Sequence, residues 1–133
     1  MEDVSFSYRA KEEIISKINS KPKADVCMMG MLTYCNCLSD DEISFLTENK
    51  AVADFFVLNT GRITGNENAV LVTEQKKRNG VVLYALDIPE REDRLTLLDY
   101  FRMDKSRRLE EADLPKEKFY PQLVAGIFLA CGS

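Results

Sequence analysis

Four cysteines, Cys27, Cys35, Cys37 and Cys131, are the softest potential ligands in this chain, and no histidine accompanies them. A Cys/His zinc site is therefore excluded. A four-cysteine site would need every thiol without the paired C-x-x-C spacing that such sites use. Reduced, buried thiols are the simpler reading. Hard oxygen ligands stand together at Asp40, Asp41 and Glu42, where carboxylates could hold Mg²⁺, although aspartate after a serine is also ordinary turn chemistry. Lys76, Lys77 and Arg78 precede Asn79-Gly80. A basic cluster at a turn could contact phosphates, or it could simply be solvated. With no glycine-rich phosphate loop and no nucleophile constellation, an enzyme of another type has little support.

Composition bounds the partners. The 133 residues are 45% hydrophobic and 30% charged, the balance of one globular domain with a modest core. Eighteen basic against 22 acidic residues give a net charge of -4, unusual for a module that must hold a polyanion by itself. The opening MEDVSFSYRAK (Met1 to Lys11) lacks the basic start and apolar core of a signal peptide. The longest apolar run, Leu123 to Cys131, is about half the roughly 20 residues needed to span a bilayer. A cytoplasmic protein is expected.

The elements that would position these residues follow from periodicity. Phe6, Ala10, Ile14 and Ile18 recur every four positions with charged residues between them, an amphipathic helix that Lys21-Pro22-Lys23 should break. Ala24 to Cys35 is apolar on nearly every face and predicts a buried helix. Ser39-Asp40-Asp41 predicts a turn, and Glu42 to Thr47 alternates as a strand does. Thr47-Glu48-Asn49 offers caps for a helix with an apolar stripe at Val52, Phe55, Phe56 and Asn59, ended by Gly61 and Gly65. Ala69 to Thr73 and Val81 to Leu86 read as a hairpin turning at Asn79-Gly80. A helix after Pro89 should bury Leu95, Leu98 and Phe101. Residues 104–118 read as a charged connector, in which Glu110, Glu111 and Asp113 cancel Lys105, Arg107 and Arg108. Phe119 to Cys131 predicts a second buried helix, and a chain stopping just beyond it suggests that a longer protein continues. The fold class is α+β with one small antiparallel sheet.

Two motifs carry a family resemblance. Val124 to Gly132 (VAGIFLACG) is similar to the nine-residue motif of LAGLIDADG homing endonucleases through Val124, Ala125, Gly126, Ile127, Ala130 and Gly132. Met28 to Asn36 (MMGMLTYCN) follows it more loosely through Gly30, Met31 and Leu32. SFSYRAKEEI (Ser5 to Ile14), TENKAVADFF (Thr47 to Phe56), KKRNGVVLY (Lys76 to Tyr84) and GIFLACGS (Gly126 to Ser133) resemble, in the same order, stretches of the WhiA-type bacterial regulators. That family is associated with sporulation and cell division. It carries a degenerate endonuclease scaffold followed by a helix-turn-helix domain.

The resemblance implies an αββαββα-type half with a leading helix over 1–20, a degenerate half over 21–103, the connector, and over 119–133 the motif helix that begins a second half. The short segment before TENK implies that the first strand is vestigial or absent. The resemblance also places Cys35 and Cys131 where active relatives carry the Mg²⁺-binding aspartates, so cleavage and a bound cofactor are not expected. Gly30, Gly126 and Ala130 then become a helix–helix interface, made either within one chain or between two in a homodimer. The implied role is a non-catalytic module of a nucleoid-associated regulator, touching duplex DNA weakly through Lys76, Lys77 and Arg78. The competing role is a protein-binding or dimerisation module, which the acidic balance favours.

Overall fold

The computed structural model describes residues 6–35, 37–102 and 116–131. Helix α1 (Phe6–Ser16) sets Ile14 and Ile15 against the core, with Ile18 just beyond its end. The triplet expected to break this helix instead opens the next, α2 (Lys21–Thr33). The Ser20 hydroxyl accepts from the Lys23 amide, and Pro22 occupies the first turn, where no intrahelical donor is required. Helix α2 is buried through Ala24, Val26, Cys27, Met28, Gly30, Met31 and Leu32, as its unbroken apolarity requires.

Strand β1 (Cys37–Leu38) is only two residues long. The turn into β2 (Ile43–Thr47) is closed by Ser39, whose hydroxyl accepts from the amides of Asp41 at 3.2 Å and Glu42 at 3.1 Å. Asn49 caps α3 (Lys50–Thr64) through a 3.2 Å bond accepted from the Val52 amide. The same side chain donates to the Tyr8 carbonyl at 3.1 Å, tying α1 to the start of α3. Gly61 does not end this helix. It lies inside α3, and the left-handed Gly65 (φ 76°) terminates it by donating to the Gly61 carbonyl.

Strands β3 (Leu71–Lys76) and β4 (Val82–Asp87) form the hairpin, each shifted toward its C-terminal end relative to the hydrophobic runs, with Gly80 in the turn at φ 85°. Helix α4 (Arg91–Tyr100) follows Pro89. Its buried face is Leu97, Leu98 and the following Phe101, while Leu95 points outward. Two positions apart, Leu95 and Leu97 lie on nearly opposite sides of the helix, and the side that packs inward carries Arg94, Leu97, Leu98 and Phe101. The charged connector lies outside the described residues up to Lys116. A 3-10 turn (Glu117–Phe119) then leads into α5 (Tyr120–Cys131), which is not the buried helix expected: Gly126 and Leu129 are buried, but Tyr120 and Val124 are exposed, because the helix packs against its neighbours along one side only.

The strands make one antiparallel sheet in the order β1-β2-β4-β3, giving the α+β class. Ile43, Phe45 and Leu86 project from one face into a core shared with Met28, Met31, Leu32, Val52, Phe56, Leu97 and Leu129. Phe45 stacks on Phe56 with ring centroids 5.3 Å apart. The helices therefore cover one face of the sheet and leave the other open. Among the described residues no helix is long and apolar enough to cross a membrane.

Candidate functional site

Helices α2 and α5 meet within the one chain, through glycines. A methyl group on Gly30 would sit 2.9 Å from the Ile127 amide nitrogen and 3.1 Å from Gly126 Cα. One on Gly126 would overlap the Cys27 carbonyl oxygen and approach its carbon to 2.9 Å. These contacts are backbone against backbone, closer than any side chain larger than hydrogen allows. Ala130 is half-buried one turn further along and packs against the core. Two of the three small residues expected at a helix–helix interface, Gly30 and Gly126, thus meet at one crossing.

The thiols near this crossing are inert by burial. Cys27 is fully buried, and loss of solvation pushes its pKa up to about 12. Cys35, 1% exposed, lies just past the end of α2. The side chains of Cys37 and Cys131 lie outside the described residues. No cluster of three or more His, Cys, Asp or Glu side chains able to hold a metal occurs among the described residues. The acidic turn is engaged by α4: the Arg91 guanidinium lies 3.6 Å from the Asp40 carboxylate, and Arg94 donates to the Asp40 carbonyl at 2.8 Å. Asp40 thus helps dock a helix.

The basic hairpin is exposed and only partly available. Lys76 closes β3, and Lys77 and Arg78 enter the turn. The Lys77 ammonium is 2.5 Å from the Glu48 carboxylate at the end of β2, which offsets its charge locally. Side-chain alternation and the strand register put Ser44, Leu46, Leu71, Thr73, Gln75, Leu83, Ala85 and Asp87 on the open face of the sheet. That face has no basic strand residue, and Leu46 and Leu71 are 42% and 55% exposed.

Two polar constellations escape periodicity. Arg62 of α3 donates to Asp25 of α2 at 2.5 Å and to Asn59, while the Tyr100 hydroxyl donates to the same Asp25 carboxylate at 2.6 Å. The hydrogen bond to Asp25 holds the Tyr100 phenol above its ordinary pKa, and partial burial adds to it. Arg94, 8% exposed, also donates to the carbonyls of Ile88 at 2.9 Å and Pro89 at 2.7 Å. Both join segments more than thirty residues apart and leave no periodic trace. Beside the first lies an open groove of about 620 Å³, lined by Ile15, Ile18, Phe55, Leu58 and Arg62. The chain matches no protein-family model, no curated protein and no solved structure.

Proposed function

We propose that this chain is the non-catalytic scaffold module of a DNA-associated transcription regulator of the WhiA type, built on a degenerate LAGLIDADG-like half. The observation that carries the reading is the glycine-mediated crossing of α2 and α5. The two stretches that resemble the family motif contribute Gly30 and Gly126 to the same backbone contact. A buried thiol at Cys35 in place of a carboxylate supports the absence of a cutting role, because Mg²⁺ prefers oxygen donors. In this reading, sequence recognition belongs to a helix-turn-helix outside these residues. The module adds backbone contact through Lys76 and Arg78, with Lys77 held by Glu48.

A second reading has its own support: the open sheet face carries no basic strand residue, one acid, Asp87, and the exposed side chains of Leu46 and Leu71. A protein surface satisfies such a face better than a row of phosphates does. Titration of the chain onto duplex DNA at about 50 mM and about 200 mM salt separates the two, since phosphate-driven affinity falls steeply over that interval. Binding that weakens with salt, and that Lys76→Ala with Arg78→Ala removes, supports DNA contact. No binding at the lower salt assigns the module to protein contact alone.

A further inference from the structure

We propose that the free edge of β3 is a self-pairing surface, through which two copies of this chain join their sheets into one continuous antiparallel sheet about a two-fold axis. The inference does not rest on DNA contact, and in the dimer Lys76 is held by Glu74 of the second copy rather than by a phosphate. Strand β3 is the outermost strand, and all six of its residues are exposed, so no helix among the described residues covers it on either side. The Lys77 amide donates to the Val81 carbonyl at 2.7 Å, which sets the phase of the hairpin ladder. By alternation, Leu71, Thr73 and Gln75 turn their main-chain groups toward β4, and Val72, Glu74 and Lys76 turn theirs outward.

Edge strands normally carry devices against such pairing: a proline, a bulge, or charges that repel a second copy. Strand β3 has no proline and an uninterrupted register, and its only charges are Glu74 and Lys76, of opposite sign. A two-fold axis through Gln75 sets Glu74 of each copy directly opposite Lys76 of the other, with main-chain hydrogen bonds in both directions between them. An axis through Glu74 or through Lys76 would oppose like charges instead, and one through Thr73 would set Glu74 opposite Val72 and leave both charges unmatched, so charge favours the axis through Gln75. Neighbouring ions do not compete. Lys77 is held by Glu48, and Lys50, whose ammonium also senses Glu74, is hydrogen-bonded to Asp54 at 3.0 Å.

Sedimentation of the intact chain from about 5 to 500 µM at about 50 mM salt should show a monomer passing to a dimer. Glu74→Lys alone and Lys76→Glu alone each oppose like charges twice across the axis and should weaken the dimer about tenfold. The double swap Glu74→Lys with Lys76→Glu should restore it. Gln75→Cys meets its symmetry mate at a non-hydrogen-bonded position, where Cα atoms lie about 4.5 Å apart. Mild oxidation should therefore link it into a covalent dimer well beyond the level that Leu71→Cys or the unsubstituted chain reaches. These residues are exposed, and an unchanged circular dichroism spectrum verifies that each variant is folded. A monomer at every concentration overturns the proposal. So does a dimer indifferent to the charge swaps, or a Gln75→Cys chain that links no better than Leu71→Cys.

Discussion

Gly126→Ala tests the helix crossing with the smallest possible change. The added Cβ meets three backbone atoms of Cys27, its carbonyl oxygen within overlap distance, its carbon at 2.9 Å and its Cα at 3.1 Å. None belongs to a side chain that can rotate away, so α5 must lift off α2 by a fraction of an ångström to an ångström along the crossing. Overpacking of this kind costs about 1–3 kcal/mol, and a rigid backbone obstacle puts the value near the upper end. Alanine returns about 1 kcal/mol through its better helix propensity. The net loss is about 2 kcal/mol, which for a chain of this size lowers Tm by roughly 6–10 °C. Gly30→Ala should behave alike, and because Gly30 and Gly126 share one contact, the double variant should lose less than the sum. Differential scanning calorimetry reads all three. A Tm for Gly126→Ala equal to or above that of the parent would refute the crossing, since propensity alone would then be acting.

Asn49→Ala removes both a helix cap and the bond to the Tyr8 carbonyl and should lower stability by about 2 kcal/mol. Asn49→Asp keeps the acceptor but not the donor, so its urea midpoint should fall between the two. Arg94→Met strands the carbonyls of Asp40, Ile88 and Pro89 and should cost about 3 kcal/mol by chemical denaturation; a loss under 1 kcal/mol would contradict the docking role. Cys27 gives a pH signature, because burial raises its folded pKa from 9.0 to about 12. The unfolded chain releases this proton first as pH rises, so the contribution is complete below pH 9 and declines between 9 and 12 by about 1.4 kcal/mol per pH unit. Cys27→Ala should show a correspondingly shallower alkaline decline, and identical slopes would rule the thiol out as its source.

Local chemistry was legible in the sequence wherever one residue acts on its neighbours. Ser39, Asn49, Gly65 and Gly80 each do their work within three or four positions along the chain, so turns, a cap, a helix end and the hairpin tip could be read directly. Apolarity on every face of α2 announced its burial because no orientation of that helix can offer water a polar side. Errors fell where phase decides. Pro22 is as suited to a helix's first turn as to its interruption, and which of Leu95 and Leu97 is buried depends on which side of α4 packs against the core.

Composition and periodicity determined the α+β class and the two apolar helices, and the motif resemblance pointed to the small residues Gly30, Gly126 and Ala130. Only the tertiary structure decided that α5 packs on α2 of its own chain, because a stripe of small residues favours close approach without naming the partner. The same holds for charge. The cluster Lys76, Lys77 and Arg78 was plain in the sequence, but the loss of Lys77 to Glu48 arises from two strand ends brought together across the sheet, 29 residues apart in the chain. Strand pairing also left one sheet face without a basic strand residue and one strand edge open, and both are properties of which strands become neighbours, which no single stretch of residues records.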